Sequence, residues 1–368
     1  MTPKLRAAVI GATGIAGQQF LPVLDRHPMF ELVRVAASER SSGKRYADAL
    51  RAPSGQIAWY PEGSIPETFA ELVVEDGSKL DPEGLDVVFS AVESDAARAL
   101  EARFGQHVPV VSTASAFRTE EDTPILIPAV NGDHAPLVRV QQKNRGWNGF
   151  VVPIPNCTTT GLAIALAPLA RAFGVRAVVM TSMQATSGAG RSPGVIALDI
   201  VDNVIPFIPK EEEKVERETQ KILGRLATRT IESDDLVVSA HCNRVAVLDG
   251  HLETVSVGLE SPASIDDVKS VMRAFGRDIN PATHPSAPEH WITVTDDPYR
   301  PQPRLDRMRE RGMTTTVGRV REDRVLGPNG FRFCLLSHNT RMGAAMGAVL
   351  VAEDLARRGF LRAQGGTT

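Results

Sequence analysis

Short apolar runs alternate with stretches of helical periodicity along the first 150 residues of the chain. Four runs have the length and composition of buried strands, at 5–10, 31–37, 85–92 and 108–112. A helical pattern follows the first run, and a second helical pattern covers 94–104. Strands that alternate with helices in this way predict a doubly wound parallel sheet.

The second half of the chain contains more polar strand patterns than the first half. Strands are predicted at 175–183, 236–247, 251–259, 291–295, 313–320 and 331–336. Helices are predicted at 210–223, 264–276 and 339–358. We therefore expect a dinucleotide-binding domain over 1–155, completed by a C-terminal helix at 338–368, and a second, α+β domain over 156–337.

A hairpin is predicted around Asp249-Gly250, which interrupts the apolar alternation of 236–259. A two-residue turn at this position would pair Arg244 with Val255. Arg244 and His251 would then project from the same face of the sheet. That arrangement would hold a base and an anion binder at opposite ends of a small substrate.

A glycine-rich turn, Gly11-Ala-Thr-Gly14-Ile-Ala-Gly17, separates the first predicted strand from the first helix. Glycines at such a place allow a tight turn and let the backbone approach the pyrophosphate of a dinucleotide, which rests at the helix N-terminus. The spacing is GxxGxxG, a variant of the usual fingerprint, and a turn used only for close packing is the alternative. The pattern favours a Rossmann-type domain.

The segment after the second predicted strand indicates which dinucleotide is bound. An NAD enzyme commonly ends this strand with an acid that holds the ribose 2′-hydroxyl. Here residues 38–45 have the sequence SERSSGKR, with three basic residues and three serines that can hold a 2′-phosphate. This composition favours NADP, whereas Glu39 leaves NAD open.

A cysteine lies where a helix is expected to begin. Pro153 and Pro155 disfavour helix before Asn156, and the apolar run 162–167 follows. We expect Asn156 to be the N-cap and Cys157 to lie in the first turn. The helix dipole and the free backbone N–H groups there stabilise a thiolate, which lowers the thiol pKa from ~8.5 toward neutrality. A small buried hydrophobe is the alternative.

Three other polar positions are candidates for anion or substrate binding. Arg118 follows a predicted strand, at the edge where ligands bind in open α/β sheets, and could bind a carboxylate or a phosphate. Glu211 and Lys214 are three residues apart in the charged helix, so they share a face and could reach one ligand. A surface arginine and a solvated charge run are the respective alternatives.

Composition and charge exclude several classes of protein. The chain has 368 residues, enough for two domains, and its net charge of -3 gives no bulk attraction to nucleic acid or to anionic membranes. Three widely spaced cysteines favour neither a disulfide framework nor a metal site. No signal peptide and no stretch of 18 apolar residues is present, so we expect a cytoplasmic protein.

The chain resembles the aspartate-semialdehyde dehydrogenase family, in its archaeal and fungal type, over nearly its whole length. The resemblance rests on Gly11-Ala-Thr-Gly14-Ile-Ala-Gly17, Asn156-Cys157-Thr158-Thr159, Gln184-Ala-Thr-Ser-Gly-Ala-Gly190, Glu211-Glu-Glu-Lys214, His241-Cys-Asn-Arg-Val-Ala-Val-Leu-Asp-Gly-His251, Arg300-Pro-Gln-Pro-Arg304 and Ser337-His-Asn-Thr340. The chain departs from the family pattern at Pro155, where a serine is expected, at Ala246, where a proline is expected, and at Arg341-Met342, where Val-Arg is usual.

The resemblance implies a role for each matching residue. Cys157 would be the nucleophile, His251 the acid–base catalyst and Gln184 the group that orients the acyl intermediate. Substrate contacts are implied at Asn156, at Arg244 for the carboxylate, at Glu211 for the amino group, and at Lys214 and Arg118 for the phosphate. Cofactor contacts are expected at Gly11, Thr13, Gly14, Ile15, Gly17, Ser38, Arg40, Ser41, Ser187, Gly188 and Asn339.

The implied reaction is the NADPH-dependent conversion of 4-phospho-L-aspartate to L-aspartate 4-semialdehyde and phosphate, through a cysteine thioester. It serves the biosynthesis of lysine, threonine and methionine, and the family forms homodimers or homotetramers. Three alternatives remain at this point. They are an acyl-CoA reductase of the same scaffold, such as a malonyl-CoA reductase, a specialised amino-acyl phosphate reductase, and a redox sensor that binds the cofactor without catalysis.

Overall fold

The fold was obtained as a computed structural model that describes residues 3–52, 54–189 and 197–363. Its strands are β1 (Leu5–Ile10), β2 (Phe30–Ala37), β3 (Val74–Asp76), β4 (Val87–Ser90), β5 (Val110–Ser112), β6 (Val151–Pro153), β7 (Val175–Gln184), β8 (Val204–Ile205), β9 (Arg225–Leu226), β10 (Ile231–Glu232), β11 (Val237–Val245), β12 (His251–Leu259), β13 (Ile292–Thr295), β14 (Thr315–Glu322) and β15 (Gly330–Ser337). Its α-helices are α1 (Ile15–Gln18), α2 (Phe20–Leu24), α3 (Tyr46–Ala49), α4 (Glu67–Ala70), α5 (Ser94–Gly105), α6 (Pro128–Asn131), α7 (Leu137–Arg145), α8 (Cys157–Phe173), α9 (Ala197–Ile200), α10 (Glu211–Leu223), α11 (Ile265–Ala274), α12 (Pro303–Asp306) and α13 (Ala345–Arg357).

The chain divides into two compact units. The first unit comprises Met1–Pro124, Ala135–Ile154 and Ala345–Thr368, and the second comprises Ile125–His134 and Pro155–Ala344. Within the described residues, no helix combines the length and the apolarity that a bilayer span requires.

The first unit is built on a parallel sheet with the strand order β3-β2-β1-β4-β5-β6. This order reverses direction between β1 and β4, which is the switch point where dinucleotides bind in doubly wound folds. Buried aliphatic side chains such as Ile10 and Val88 pack with Phe104 in its core. The predicted Rossmann-type sheet is confirmed.

The second unit is built on a mixed sheet with the strand order β13-β14-β15-β12-β7-β11-β8. The long helix α8 packs against β7, β12 and β15, so its first turn reaches the side chains that these strands present on that face. A mixed sheet covered by helices confirms the predicted α+β class of the second domain. The two-stranded pair β9–β10 is separate.

The predicted hairpin at Asp249-Gly250 is wrong in its pairing. Strand β7 lies between β11 and β12, parallel to the first and antiparallel to the second. Arg244 is therefore paired with Gln184 and not with Val255. The five residues from 246 to 250 cross two strand spacings of about 10 Å in total, which a two-residue turn could not do.

The loop after β7 fills the gap that this crossing leaves. Thr186 and Ser187 donate their backbone N–H groups to the carbonyl oxygens of Val247 and Leu248, at 2.8 and 3.1 Å. The motif that begins at Gln184 is thus held against the β11–β12 connection. Gly190, the last residue of that motif, lies outside the described residues.

Candidate active site

Cys157 is the first residue of α8, and Asn156 is its N-cap, as predicted. The Asn156 side-chain oxygen Oδ1 accepts the backbone N–H groups of Thr158 at 2.9 Å and Thr159 at 3.2 Å. The capping bonds fix the first turn, so the direction of the Cys157 side chain is set by the cap. Cys157 itself is half-buried.

His251 faces the sulfur. Its ring nitrogen Nε2 lies 3.2 Å from Cys157 Sγ. The other ring nitrogen, Nδ1, accepts the backbone N–H of Ala185 at 3.0 Å. Because Nδ1 is an acceptor, the proton of the neutral imidazole is on Nε2, and this N–H points at the sulfur. The sheet therefore fixes the tautomer of His251.

His251 stays neutral over the physiological range. Burial, aided by the charge of Arg244 and by His338, lowers the pKa of His251 to about 3. A protonated ring would also turn Nδ1 into a donor facing the Ala185 N–H. The neutral ring thus presents its Nε2–H, and not an imidazolium, to the Cys157 sulfur.

Arg244 and Gln184 lie beside this pair, on the same face of the sheet. Arg244 is buried, and its Nη1 donates to the Ala185 carbonyl at 2.8 Å, which fixes the direction of the guanidinium. A Cβ atom at Gly188 would lie 3.3 Å from both Arg244 Nη1 and His251 Cε1. Arg244 and His251 do approach each other as expected, although β7 separates their strands.

Helix α10 presents acidic side chains to the start of α8. Glu211 Oε1 accepts a hydrogen bond from Asn156 Nδ2 at 2.8 Å, while Glu211 Oε2 lies 3.6 Å from Lys214 Nζ. Glu218, two turns along the helix, accepts the backbone N–H of Asn156 at 2.6 Å. Glu211 and Lys214 therefore lie near the nucleophile, and Glu218 is a neighbour that the sequence analysis missed.

Asn339 links the segments around the site. Its side chain donates to Ser187 Oγ at 2.8 Å and accepts the backbone N–H of Gly250 at 2.8 Å. Four residues on, a Cβ atom at Gly343 would lie 2.9 Å from Cys157 Cβ, so this turn also bounds the nucleophile. Helix α13 begins only at Ala345, because residues 338–344 form this turn and not the predicted first helical turn.

The other cysteines differ from Cys157. Burial raises the pKa of Cys242 to about 12, and it raises the pKa of Cys334 as well. Both thiols are therefore protonated at neutral pH and poor nucleophiles. Cys157 is the cysteine that combines a helix N-terminus, a histidine partner and solvent access.

The cofactor candidates at the glycine turn lie in the first unit. Gly11 has φ +76°, and a Cβ atom on it would lie 2.4 Å from the Ala91 carbonyl oxygen. A Cβ atom on Gly17 would lie 2.0 Å from the Gly11 carbonyl oxygen. The turn between β1 and α1 thus requires glycine at both positions, as a dinucleotide turn does. These residues fit a dinucleotide pyrophosphate.

The remaining candidates of the first unit follow β2 and β5. Ser38 and Arg40 are exposed directly after β2, and Ser41 is half-buried, in reach of solvent as a 2′-phosphate contact requires. Arg45, in contrast, is bound to Asp48 at 2.7 Å and to Glu71 at 3.1 Å. Arg118 is buried and donates from Nη2 to the Thr113 carbonyl at 2.8 Å.

A second missed residue, Glu253, lies two positions after His251 on the same face of β12. It is fully buried, and among the described residues neither carboxyl oxygen has a hydrogen-bond partner. A Cβ atom at Gly161, one turn beyond Cys157, would lie 3.4 Å from Glu253 Oε1. Burial raises the pKa of Glu253 well above its usual range. Burial thus favours the protonated, neutral form of this carboxyl, which lies behind the Cys–His pair.

Replacing Glu253 by glutamine is expected to change how stability depends on pH. The folded wild type keeps a proton that the unfolded chain releases above pH ~4.3, so its stability falls by up to ~1.4 kcal/mol per pH unit above that point. Glu253→Gln removes this linkage. The free energy of unfolding of the variant, minus that of the wild type, should therefore rise between pH 5 and pH 7 in denaturant titrations. Free energies of unfolding that change in parallel with pH in the variant and the wild type would contradict this. Glu213→Gln, at an exposed position of α10, is the control.

Family models, curated proteins and solved structures all contain relatives of this chain. Residues 6–137 match the family model "Semialdehyde dehydrogenase, NAD binding domain", and residues 166–342 match "Semialdehyde dehydrogenase, dimerisation domain". An aspartate-semialdehyde dehydrogenase of Archaeoglobus fulgidus is 46% identical over 95% of this chain and 97% of its own, and that of Saccharomyces cerevisiae is 41% identical over 98% and 100%. The crystal structure of aspartate-semialdehyde dehydrogenase with NADP from Candida albicans superposes with a TM-score of 0.85, at 39% identity, covering 98% of this chain and 100% of that one.

Proposed function

Since this chain belongs to the aspartate-semialdehyde dehydrogenase family, we propose that Cys157 forms the thioester through which 4-phospho-L-aspartate becomes L-aspartate 4-semialdehyde. The cofactor is NADP, in agreement with the NAD-binding family model and with the NADP-bound Candida structure. The observation that carries the proposal is the Cys157 Sγ to His251 Nε2 contact of 3.2 Å at the start of a capped helix.

The chain's own residues account for the acyl transfer. The Cys157 thiolate attacks the acyl carbon, the bond from carbon to the phosphate oxygen breaks, and phosphate leaves with that electron pair. Bound NADPH supplies the hydride that reduces the acyl carbon. The His251 Nε2–H donates a hydrogen bond to the oxyanion that would form when the hydride adds to the acyl carbon. When this oxyanion collapses to the carbonyl of the aldehyde, the C–S bond breaks and its electron pair returns to the Cys157 sulfur.

The neighbouring side chains suit the ends of the substrate. The guanidinium of Arg244, anchored on the Ala185 carbonyl, can bind the α-carboxylate in a bidentate manner. Glu211 carries a negative charge suited to the α-ammonium, and Lys214 a positive charge suited to phosphate. Gln184 and Asn156 are the proposed polar contacts of the acyl intermediate, and Arg118 is the proposed second phosphate ligand. Ser187, Gly188 and Asn339 are proposed to contact the nicotinamide end of the cofactor.

Residues 1–155 with the C-terminal helix are proposed to bind the cofactor through Gly11, Thr13, Gly14, Ile15 and Gly17. Ser38, Arg40 and Ser41 are proposed to hold the 2′-phosphate. The match to a dimerisation domain supports a homo-oligomer, which we propose to be a homodimer or a homotetramer. A reactive thiol requires a reducing compartment, and we propose the cytoplasm.

The proposed function is tested by a spectrophotometric assay of the purified protein. L-aspartate 4-semialdehyde, phosphate and NADP⁺ should yield NADPH, and the rate should depend on phosphate. Malonyl-CoA with NADPH, assayed in parallel, should give no oxidation. If no NADPH forms in the first assay and NADPH is oxidised in the second, the protein is instead an acyl-CoA reductase.

Arg244→Lys is expected to raise KM for the semialdehyde by about 10–100-fold. A lysine cannot make the bidentate contact with a carboxylate, and a charge-assisted hydrogen bond contributes about 1.5–3 kcal/mol. Arg217→Lys, at an exposed position of α10, is the matched control and should leave KM unchanged. An unchanged KM in Arg244→Lys would assign the carboxylate to another residue.

A further inference from the structure

Glu218 lies on the buried face of α10, together with Val215 and Ile222. It is 5% exposed, and burial costs a carboxylate its hydration. Its Oε2 atom accepts the backbone N–H of Asn156 at 2.6 Å. A carboxyl group at this buried position accepts a hydrogen bond that an aliphatic side chain could not accept.

This bond supplies an acceptor that the start of α8 does not supply itself. In a capping box, a Glu or Gln at position N3 accepts the backbone N–H of the N-cap residue. Position N3 of α8 is Thr159, whose hydroxyl has no hydrogen-bond partner among the described residues. Glu218 therefore completes the capping box of the nucleophile's helix from a different helix.

The cap leaves the nucleophile little room to move. Cys157 follows Asn156 directly, and its sulfur must stay 3.2 Å from His251 Nε2. On another side, a Cβ atom placed on Gly343 would lie only 2.9 Å from Cys157 Cβ. A small shift of the cap would therefore move the sulfur away from the histidine, and displacements of about 1 Å can cost ~100-fold in rate.

We propose that Glu218 is a positioning residue, which holds the Asn156 backbone so that Cys157 Sγ stays aligned with His251. This goes beyond the proposed function and rests on it only for the identity of the reaction. The role is one of geometry, because a negative charge near a thiolate disfavours the thiolate. What matters is thus an acceptor oxygen at the right distance, and not the charge.

Two variants separate the acceptor from the charge. Glu218→Asp keeps the charge but withdraws the oxygen by one methylene, whereas Glu218→Gln keeps an acceptor oxygen at full reach and removes the charge. Glu213→Gln, at an exposed position of the same helix, is the control. We expect kcat to fall about 10–100-fold in Glu218→Asp and by less than about 5-fold in Glu218→Gln, with KM within about 3-fold in both.

Hydrogen–deuterium exchange of the peptide that contains Asn156 and Thr159 gives a readout that does not depend on the reaction. Exchange should accelerate in Glu218→Asp and stay near the wild-type rate in Glu218→Gln. A wild-type kcat and wild-type exchange in Glu218→Asp would overturn the proposal, and so would a Glu218→Gln variant as impaired as Glu218→Asp. If the wild type forms no NADPH from the semialdehyde, the proposed function fails, and the exchange data alone decide the role of Glu218.

Discussion

Cys157→Ser lowers kcat/KM for phosphate-dependent NADPH formation by at least about 10⁴-fold. Serine has nearly the same shape and leaves the Asn156 cap in place, but its hydroxyl has no accessible anion at neutral pH. The loss therefore measures the chemistry of the thiolate and not a change of fold. Steady-state assays with L-aspartate 4-semialdehyde, phosphate and NADP⁺ measure it, and unfolding curves verify that the variant is folded.

Cys334→Ser is the control for the loss of a cysteine as such. Cys334 lies on β15, and its pKa is raised by burial, so it plays no part in the proposed reaction. Its replacement should leave kcat/KM within about 2-fold of the wild type, in keeping with the small effect of substitutions away from a site. Appreciable turnover by Cys157→Ser would rule out covalent catalysis through Cys157.

His251→Asn lowers kcat by about 10²–10³-fold, the loss expected when one donor to a developing oxyanion is removed, and His251→Gln lowers it less. Glutamine can place an N–H near the position of Nε2, so it keeps a donor to the sulfur and to the oxyanion. Asparagine can accept the Ala185 N–H in place of Nδ1 but offers nothing at the sulfur. Glutamine should therefore preserve the reactivity of Cys157 toward iodoacetamide better than asparagine does.

The pH profile separates this histidine from the more familiar imidazolium–thiolate pair. Because the pKa of His251 is lowered to about 3, the ring is neutral throughout the range from pH 5 to pH 8. The acid limb of kcat/KM then reports the ionisation of the cysteine, and its midpoint should be unchanged in His251→Gln. An acid limb that disappears in this variant would show instead that the histidine titrates in that range.

Local features of this fold follow from the sequence. The glycine turn after β1 and the Asn156 cap depend on residues within a few positions of each other, and both occur where the pattern predicts them. The short strands β3, β6, β8, β9 and β10, of two or three residues, carry too little periodicity to be found.

Non-local features of the site could not be predicted in this way. The Asp249-Gly250 signal describes a local turn, but it does not reveal that β7, about 60 residues earlier, lies between the strands it joins. Glu218 could have been noticed, because it recurs on the helix face of Glu211 and Lys214 at a spacing of seven residues. Glu253 was likewise an acid on the strand face of His251. Asn156, to which Glu218 is hydrogen-bonded, and Gly161, which lies next to Glu253, both come from segments that are distant in the sequence.

Mass spectrometry of the acid-quenched protein, before and after digestion, tests whether Cys157 carries a thioester that phosphate discharges. The wild type is mixed with L-aspartate 4-semialdehyde and NADP⁺ without phosphate, quenched in acid and digested. We expect one acyl group per chain on the peptide that contains Cys157, formed together with one equivalent of NADPH and lost when phosphate is added before the quench. An NADPH burst without an acyl group on this peptide, or an acyl group on another residue, would contradict it.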